Sequence, residues 1–266
     1  MAYILYIPFG LLPSIIWLLF YLRKDSHPES NKMILKIFFY GMAGAIMAAA
    51  IEIGIDFGNK IFNRIFTIEL ENLSFLFFIL GHIVAIGLVE ELTKFIIVRQ
   101  KVLNDKEFDE PLDAMLYMII TALGFAALEN LLYLSPFLLP SWFPEEAKLS
   151  LREAALVTGF RFVGATFLHA LASGLIGYFL AYSMFFPKRK RLLLVIGIIT
   201  ASILHGLFNI SIIGLSAGAQ NQNPALVIIF VVSLITILSS LAIFVSFGFN
   251  KLKKLKSICQ QTSSTD

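Results

Sequence analysis

Seven apolar runs, at approximately 2–22, 33–55, 74–98, 112–134, 154–186, 192–216 and 225–249, divide this chain. Each is near the roughly 20 residues that a helix needs to cross a bilayer. Backbone exposed to lipid must satisfy its own hydrogen bonds, so apolar runs of this length fold as helices. The 266 residues are 58% hydrophobic and 15% charged, against about 25% charged in a soluble domain. The expected fold is all-α: a polytopic membrane helix bundle of about seven transmembrane helices, forming a single integral-membrane domain over 1–266. The 154–186 run exceeds what a crossing needs, so it tilts or begins outside the bilayer. The first run has no basic leader and no small-residue cleavage site, which reads as a retained anchor. Cys259 is the sole cysteine, so an intramolecular disulfide and a multi-cysteine metal site are excluded.

The basic residues orient the bundle. One set of connections holds fifteen: Arg23, Lys24, Lys32, Lys36, Arg99, Lys101, Lys106, Lys188 to Arg191, Lys251, Lys253, Lys254 and Lys256. The opposite set holds four, Lys60, Arg64, Lys148 and Arg152. This places the N-terminus outside and the C-terminus in the cytoplasm. The basic clusters read as topology signals, and nucleic acid is not an expected partner. Connections are short. Phe57–Asn72 is the largest outer one, with Ile61, Phe62, Ile65 and Phe66 at the helical spacing of an interfacial segment. Pro136–Pro144, with Trp142, reads as an outer turn, and Pro111 after Asp109 and Glu110 as a helix start. Small residues at helix-contact spacing, Gly44 with Ala48 and the stripe Ala170, Gly174, Gly177, Ala181, allow close packing.

Within this apolar frame the exceptions carry the information. A carboxylate at membrane depth costs on the order of 3 kcal/mol on insertion scales and marks a functional site by default. The third run holds Glu90, Glu91 and Lys94, the fourth Glu129 and Asn130, the fifth Arg161 and His169, and the sixth His205 and Asn209. Glu90 and Lys94 are four apart and Glu91 and Lys94 three apart, so both acids neighbour the lysine. The acids themselves differ by about 100° around the axis and can take different roles. His205 and Asn209 share one face. His169 and His205 lie near the middle of their runs and Glu90 and Glu91 a little past the middle of theirs, so the four can meet near the bilayer centre, whereas Glu129 falls toward the outer end of its own. A lone buried His or Asn more often joins helices than does chemistry. His82 is read that way, Glu52 is set aside because it lies near the outer end of its run, and Arg161 is read as the ion-pair partner of a glutamate. Two acids and two imidazoles on three helices exceed what packing requires.

A carboxylate beside an imidazole can take a proton from water, and an Asn one turn from a His can donate to an oxyanion. Those are the parts for water attack on a carbonyl. There is no GxSxG and no HExxH, and Cys259 lies in the tail, so serine and cysteine nucleophiles have no support. Two imidazoles and a carboxylate, His169, His205 and Glu90, could equally hold zinc with a water.

These residues resemble a known family. Val89-Glu90-Glu91-Leu92-Thr93-Lys94 looks like the EExxK motif of the PrsW family of intramembrane proteases. Glu110-Pro111-Leu112-Asp113, followed by Gly124-Phe125-Ala126-Ala127-Leu128-Glu129-Asn130, resembles its second motif. Arg161 with His169, and His205-Gly206-Leu207-Phe208-Asn209, resemble its third and fourth. The match runs from about 85 to 210, within a protease core expected at about 74–216. That family is similar to the CAAX prenyl endopeptidases and bacterial CPBP proteins. Lys94 stands where the prenyl endopeptidases have Arg, and position 165 is Ala, so their FxxxH motif is absent.

The resemblance implies a multi-pass, glutamate-dependent endopeptidase of the cell membrane. Its partners would be lipid and a membrane-anchored protein substrate, and bacterial relatives make the first cut in an anti-sigma factor. It casts Glu90 as general base, His169 as the group that positions the water, and His205 and Asn209 as oxyanion donors. Glu91 and Lys94 would organise the site, with Glu129, Asn130 and Arg161 supporting it. Family members are described both as glutamate peptidases, which need no cofactor, and as metalloproteases. The rival from another class is a proton-coupled transporter or channel that uses the buried Glu and His residues as a relay. Such proteins commonly carry internal repeats and broken helices, and the sequence displays neither. A third reading keeps the fold as a scaffold without activity.

Overall fold

The computed structural model describes residues 6–25, 27–66, 79, 81–134 and 150–255. Among these residues every regular element is a helix, with no strand. In order it forms α1 (Tyr6–Leu22), α2 (Asn31–Phe66), a π-helical stretch (His82–Leu88) that runs directly into α3 (Val89–Lys101), and α4 (Pro111–Tyr133). There follow α5 (Leu151–Val163), α6 (Ala165–Met184), a 3₁₀ turn (Pro187–Arg189), α7 (Lys190–Gln220) and α8 (Pro224–Leu252). Among the described residues, five stretches are long and apolar enough to cross a membrane: Asn31–Gly58, Pro111–Tyr133, Leu151–Met184, Pro187–Gln220 and Pro224–Leu252. A shorter apolar helix covers Ile7–Leu22. Part of the expected 74–98 run, the turn with Trp142, and Cys259 lie outside the described residues. The α2 helix continues unbroken to Phe66, through most of the segment expected at the interface.

The middle of the bundle is α4. Every residue from Pro111 to Ala127 is buried, because this helix is apolar on all sides and has no face to offer water. Its start is set locally: Pro111 occupies the first helical position, where a missing N–H costs nothing, and Glu110 and Asp113 form a reciprocal capping box. Glycines let neighbours approach its backbone. A Cβ on Gly41 of α2 would lie 2.1 Å from the Thr121 carbonyl oxygen, and one on Gly124 would lie 2.0 Å from that of Phe38. On another side, a Cβ on Gly177 of α6 would lie 2.5 Å from the Met115 Cα. The predicted small-residue stripe on α6 is thus the surface that α6 lays on α4. The other predicted pair faces α3, where a Cβ on Gly44 would meet the Ile97 and Thr93 side chains.

The fifth predicted run is interrupted. At Gly164 the backbone turns to φ −103°, ψ −96°, which ends α5 and restarts the chain as α6. Trp17 of α1 braces this break, with its indole Nε1 donating to the Phe162 carbonyl at 2.9 Å and its ring stacked 4.2 Å from that of Phe167. Arg161 and His169 therefore stand on two helices, not on one face of a single helix. His169 lies close to the start of α6, not mid-helix, and this changes which residues it can meet.

Candidate active site

Two backbone contacts bring the site together. Gly87, at the end of the π-helical stretch, faces α7 so closely that a Cβ would lie 2.3 Å from the Ser202 carbonyl oxygen. Reciprocally, a Cβ on Gly206 would lie 2.6 Å from the Ile83 Cα. Isolated π-helical turns are frequent at functional sites, and this one ends where the diglutamate begins. The interlock seats His205 of α7 over Glu91 of α3.

Lys94 sits at the centre, fully buried. Its Nζ donates to Glu91 Oε1 at 2.8 Å, to His169 Nδ1 at 2.8 Å and to Glu90 Oε2 at 3.3 Å, and lies 4.3 Å from the Phe125 ring centroid. Glu91 accepts in addition from His205 Nδ1 at 2.9 Å and from the Ser173 hydroxyl at 2.7 Å. His169 presents its other nitrogen, Nε2, to Glu129 Oε2 at 2.8 Å. Arg161 Nη2 reaches the same Glu129 oxygen at 2.8 Å, while its Nε donates to Asn130 Oδ1 and its guanidinium lies over the Tyr133 ring. Asn130 in turn donates to the Thr166 hydroxyl at 3.1 Å.

The network assigns the tautomers. An ammonium can only donate, so His169 accepts at Nδ1 and carries its proton at Nε2, toward Glu129. His205 carries a proton at Nδ1, toward Glu91, which leaves its Nε2 facing the interior. Glu90 is held more loosely. Its Oε2 is 3.6 Å from His169 Nδ1 and 3.8 Å from His205 Nε2, too long for direct bonds; Lys94 fills the His169 Nδ1 lone pair, so a shared water would join Glu90 to His205 Nε2. The imidazole rings meet edge to face with centroids 5.0 Å apart. A cavity of about 530 Å³ opens on this group. Its polar lining includes Glu52, Glu90, Glu129, Arg161, His169, His205 and Asn209, and its apolar wall includes Phe160, Leu168 and Phe208.

The candidate site residues named from the sequence therefore lie in one connected network or on its wall, and the side chain of His82 lies outside the described residues. Asn209 lines the cavity one turn beyond His205. Arg161 pairs with a glutamate, as expected, and the partner is Glu129. Glu129, expected toward the outer end of its run, is in direct contact with His169. The break at Gly164 is the reason, since it puts His169 at the start of α6, level with the last turns of α4. Sequence reasoning missed Ser173 and Thr166, although Ser173 is four residues after His169 and so on its face. It also set Glu52 aside for its place near the outer end of its run, whereas Glu52 faces the cavity.

The donor set fits a metal ion. One ligand atom each from Glu90, His169 and His205 lie within 4.8 Å of one another. Both imidazoles already give their second nitrogen to a carboxylate, Glu129 and Glu91, the outer arrangement that orients metal-binding histidines. Lys94 competes for one of those positions, since its Nζ occupies the lone pair of His169 Nδ1.

The model of the PrsW family of intramembrane metalloproteases matches residues 29–237 of the chain. Among curated proteins, Protease PrsW of Bacillus subtilis is 26% identical over 251 residues, covering 94% of each chain. Protease PrsW of Oceanobacillus iheyensis is 25% identical over 233 residues, 85% of this chain and 91% of its own. Protease PrsW of Geobacillus kaustophilus is 30% identical over 123 residues, 46% of this chain and 48% of its own. No solved structure matches the chain.

Proposed function

The chain belongs to the PrsW family of intramembrane metalloproteases, and from that premise we propose that Glu90 is the base that activates water against a peptide bond of a membrane-anchored protein. It is an intramembrane protease, and a transporter reading is not favoured. The observation that carries the assignment of Glu90 is its position between two imidazoles on the wall of the cavity, unlike Glu91, which is saturated by Lys94, His205 and Ser173.

Glu90 takes a proton from the water as its oxygen attacks the carbonyl carbon, and the carbonyl π electrons move onto oxygen. With Glu90, Glu91 and Glu129 ionised against Lys94 and Arg161, a second proton on His205 brings this group to zero net charge. His205 Nε2–H and the Asn209 amide then donate to the oxyanion. His169, its ring fixed by Lys94 on one side and Glu129 on the other, walls the place of the water beside Glu90. Collapse of the intermediate breaks the C–N bond, and Glu90 returns its proton to the leaving amine. Lys94 keeps two adjacent acids ionised without repulsion, and Arg161 with Asn130 holds Glu129.

A second reading is favoured by the clustered donor atoms. In it Glu90, His169 and His205 hold a divalent ion such as zinc, which would acidify a bound water and polarise the carbonyl. The residues beneath them keep the same orienting roles. The finer architecture belongs to the same proposal: a single domain of seven crossings in the cell membrane, with the N-terminus outside and the C-terminus cytoplasmic, cutting an anti-sigma-factor-like substrate. Relationship to the CAAX prenyl endopeptidases is part of it. The test is Glu90→Gln assayed on a membrane-anchored reporter. The expected result is loss of cleavage with the helical bundle intact, and full activity would remove Glu90 from the mechanism.

A further inference from the structure

Glu52 is not used by the chemistry above, yet it is placed to meet the substrate. It lies on α2 on the same face as Ala45 and Ala48, both buried, which pack with Phe125 against Val89. One turn further, Glu52 reaches the cavity beside Ile86 and Glu90. Its Oε1 is buried and has no hydrogen-bond partner, and among the described residues no ion pair reaches it. Its chain neighbours Ile51 and Ile53 are exposed on the lipid side of the helix, which makes a carboxylate here costly. The remaining charges around the cavity close on themselves: Lys94 serves Glu90 and Glu91, and Arg161 serves Glu129. Among the described residues Glu52 is left as the carboxyl group of this cavity without an ion-pair partner.

We propose that Glu52 forms a cation-accepting subsite in this cavity, and that the enzyme prefers substrates with a lysine or arginine side chain close to the scissile bond. The inference rests on the hydrolytic reading of the cavity. A basic side chain of the substrate would enter with the peptide, pair with Glu52 and supply the charge that none of the described residues does. Its aliphatic stem would lie along the apolar wall.

The test uses the full-length protein in lipid nanodiscs. Membrane-spanning reporter peptides, with the cut mapped by mass spectrometry, carry Lys, norleucine or Glu at the two residues on either side of it. The wild type should cleave the best-placed Lys peptide about tenfold faster in kcat/KM than its norleucine counterpart, with Glu slowest. In Glu52→Gln the Lys-to-norleucine ratio should fall to about one, and in Glu52→Lys the order should invert in favour of Glu. Each ratio is taken within one preparation, so incomplete folding of a variant does not move it. Equal rates for the three peptides in the wild type, or an unchanged ratio in Glu52→Gln, would overturn the subsite while leaving hydrolysis standing. Should no peptide be cut, binding of the same peptides with a ketomethylene in place of the scissile amide decides the matter. Tighter binding of the Lys form that is lost in Glu52→Gln upholds the subsite although the hydrolytic reading has failed, and equal affinities overturn it.

Discussion

Replacing Lys94 by Met should unfold the site more than any other single change in it. The ammonium has no exposed surface and lies within 2.8 Å of Glu91 and His169 and 3.3 Å of Glu90. Met fills much the same volume and keeps the contact with Phe125, so the change isolates the charge. Removing one member of a buried pair leaves the other uncompensated, at a cost of about 3–5 kcal/mol. Here two acids one residue apart are left facing each other, so the upper part of that range is expected. His169 loses its donor at Nδ1 as well. The assay is reversible unfolding in mixed micelles, followed by circular dichroism. The double variant Lys94→Met, Glu91→Gln removes the charge together with its nearest partner, and the Gln can still accept from His205. It should recover about half of the loss or more, a coupling well above the ~0.5 kcal/mol expected of independent sites. A single variant within about 1 kcal/mol of wild type, or a double variant equal to the sum of the singles, would refute the view that Lys94 is the counter-ion of the diglutamate.

Other outcomes follow from the same geometry. Glu90→Gln should lower cleavage of a membrane-anchored reporter by at least about 10³-fold, as loss of a general base does, with little change in thermal unfolding. If a metal ion is part of the site, strong chelation should abolish cleavage and elemental analysis of the purified protein should find about one ion per chain; unchanged activity in chelator would remove that reading. Gly87→Ala places a methyl group 2.3 Å from the Ser202 carbonyl oxygen, so α7 must shift and carry His205 away from Glu91. A cost of roughly 1–3 kcal/mol and a large loss of cleavage are expected, and a fully active variant would show that the interlock does not position the site. Burial, with Asp25 and Glu107 nearby, pushes the carboxyl of Glu29, in the α1–α2 connection, up to about 7, against the opposing pull of the Tyr117 hydroxyl bonded to it. The folded state then holds a proton that the unfolded chain releases near 4.5, so the contribution of this group to stability is full below that pH and is lost as pH rises toward 7. Thermal melts between pH 4.5 and 8 should lose part of that slope in Glu29→Gln, and an identical slope would exclude Glu29 as its source.

Much of the site was legible because lipid makes polar residues conspicuous. In a chain this apolar, a glutamate pair, a lysine one turn on and two histidines have no inexpensive place except against one another. Spacing along a helix then gives which of them are neighbours, and the pairing of Lys94 with both acids is read from residue numbers alone. The start of α4 was equally local, written in Glu110-Pro111.

What spacing does not contain is depth and sidedness between helices. Nothing in the run 154–186 announces that the chain breaks at Gly164, since glycine is common in membrane helices and breaks only where packing demands it. That break, held by Trp17 from the far end of the sequence, sets His169 level with Glu129 and turns two separate candidates into a hydrogen-bonded pair. Glu52 is the converse case: by composition it was an ordinary polar residue near the end of an apolar run, and only the approach of α2 to α3 turns it toward the cavity. The amino-acid sequence alone determined that this protein is a helical membrane bundle and which side chains are too costly to be idle, because burial energy depends on residue type. The tertiary structure decided which of them touch, because contacts between helices depend on where backbones can approach, at Gly87 and Gly206, Gly41 and Gly124, and on where one of them must bend.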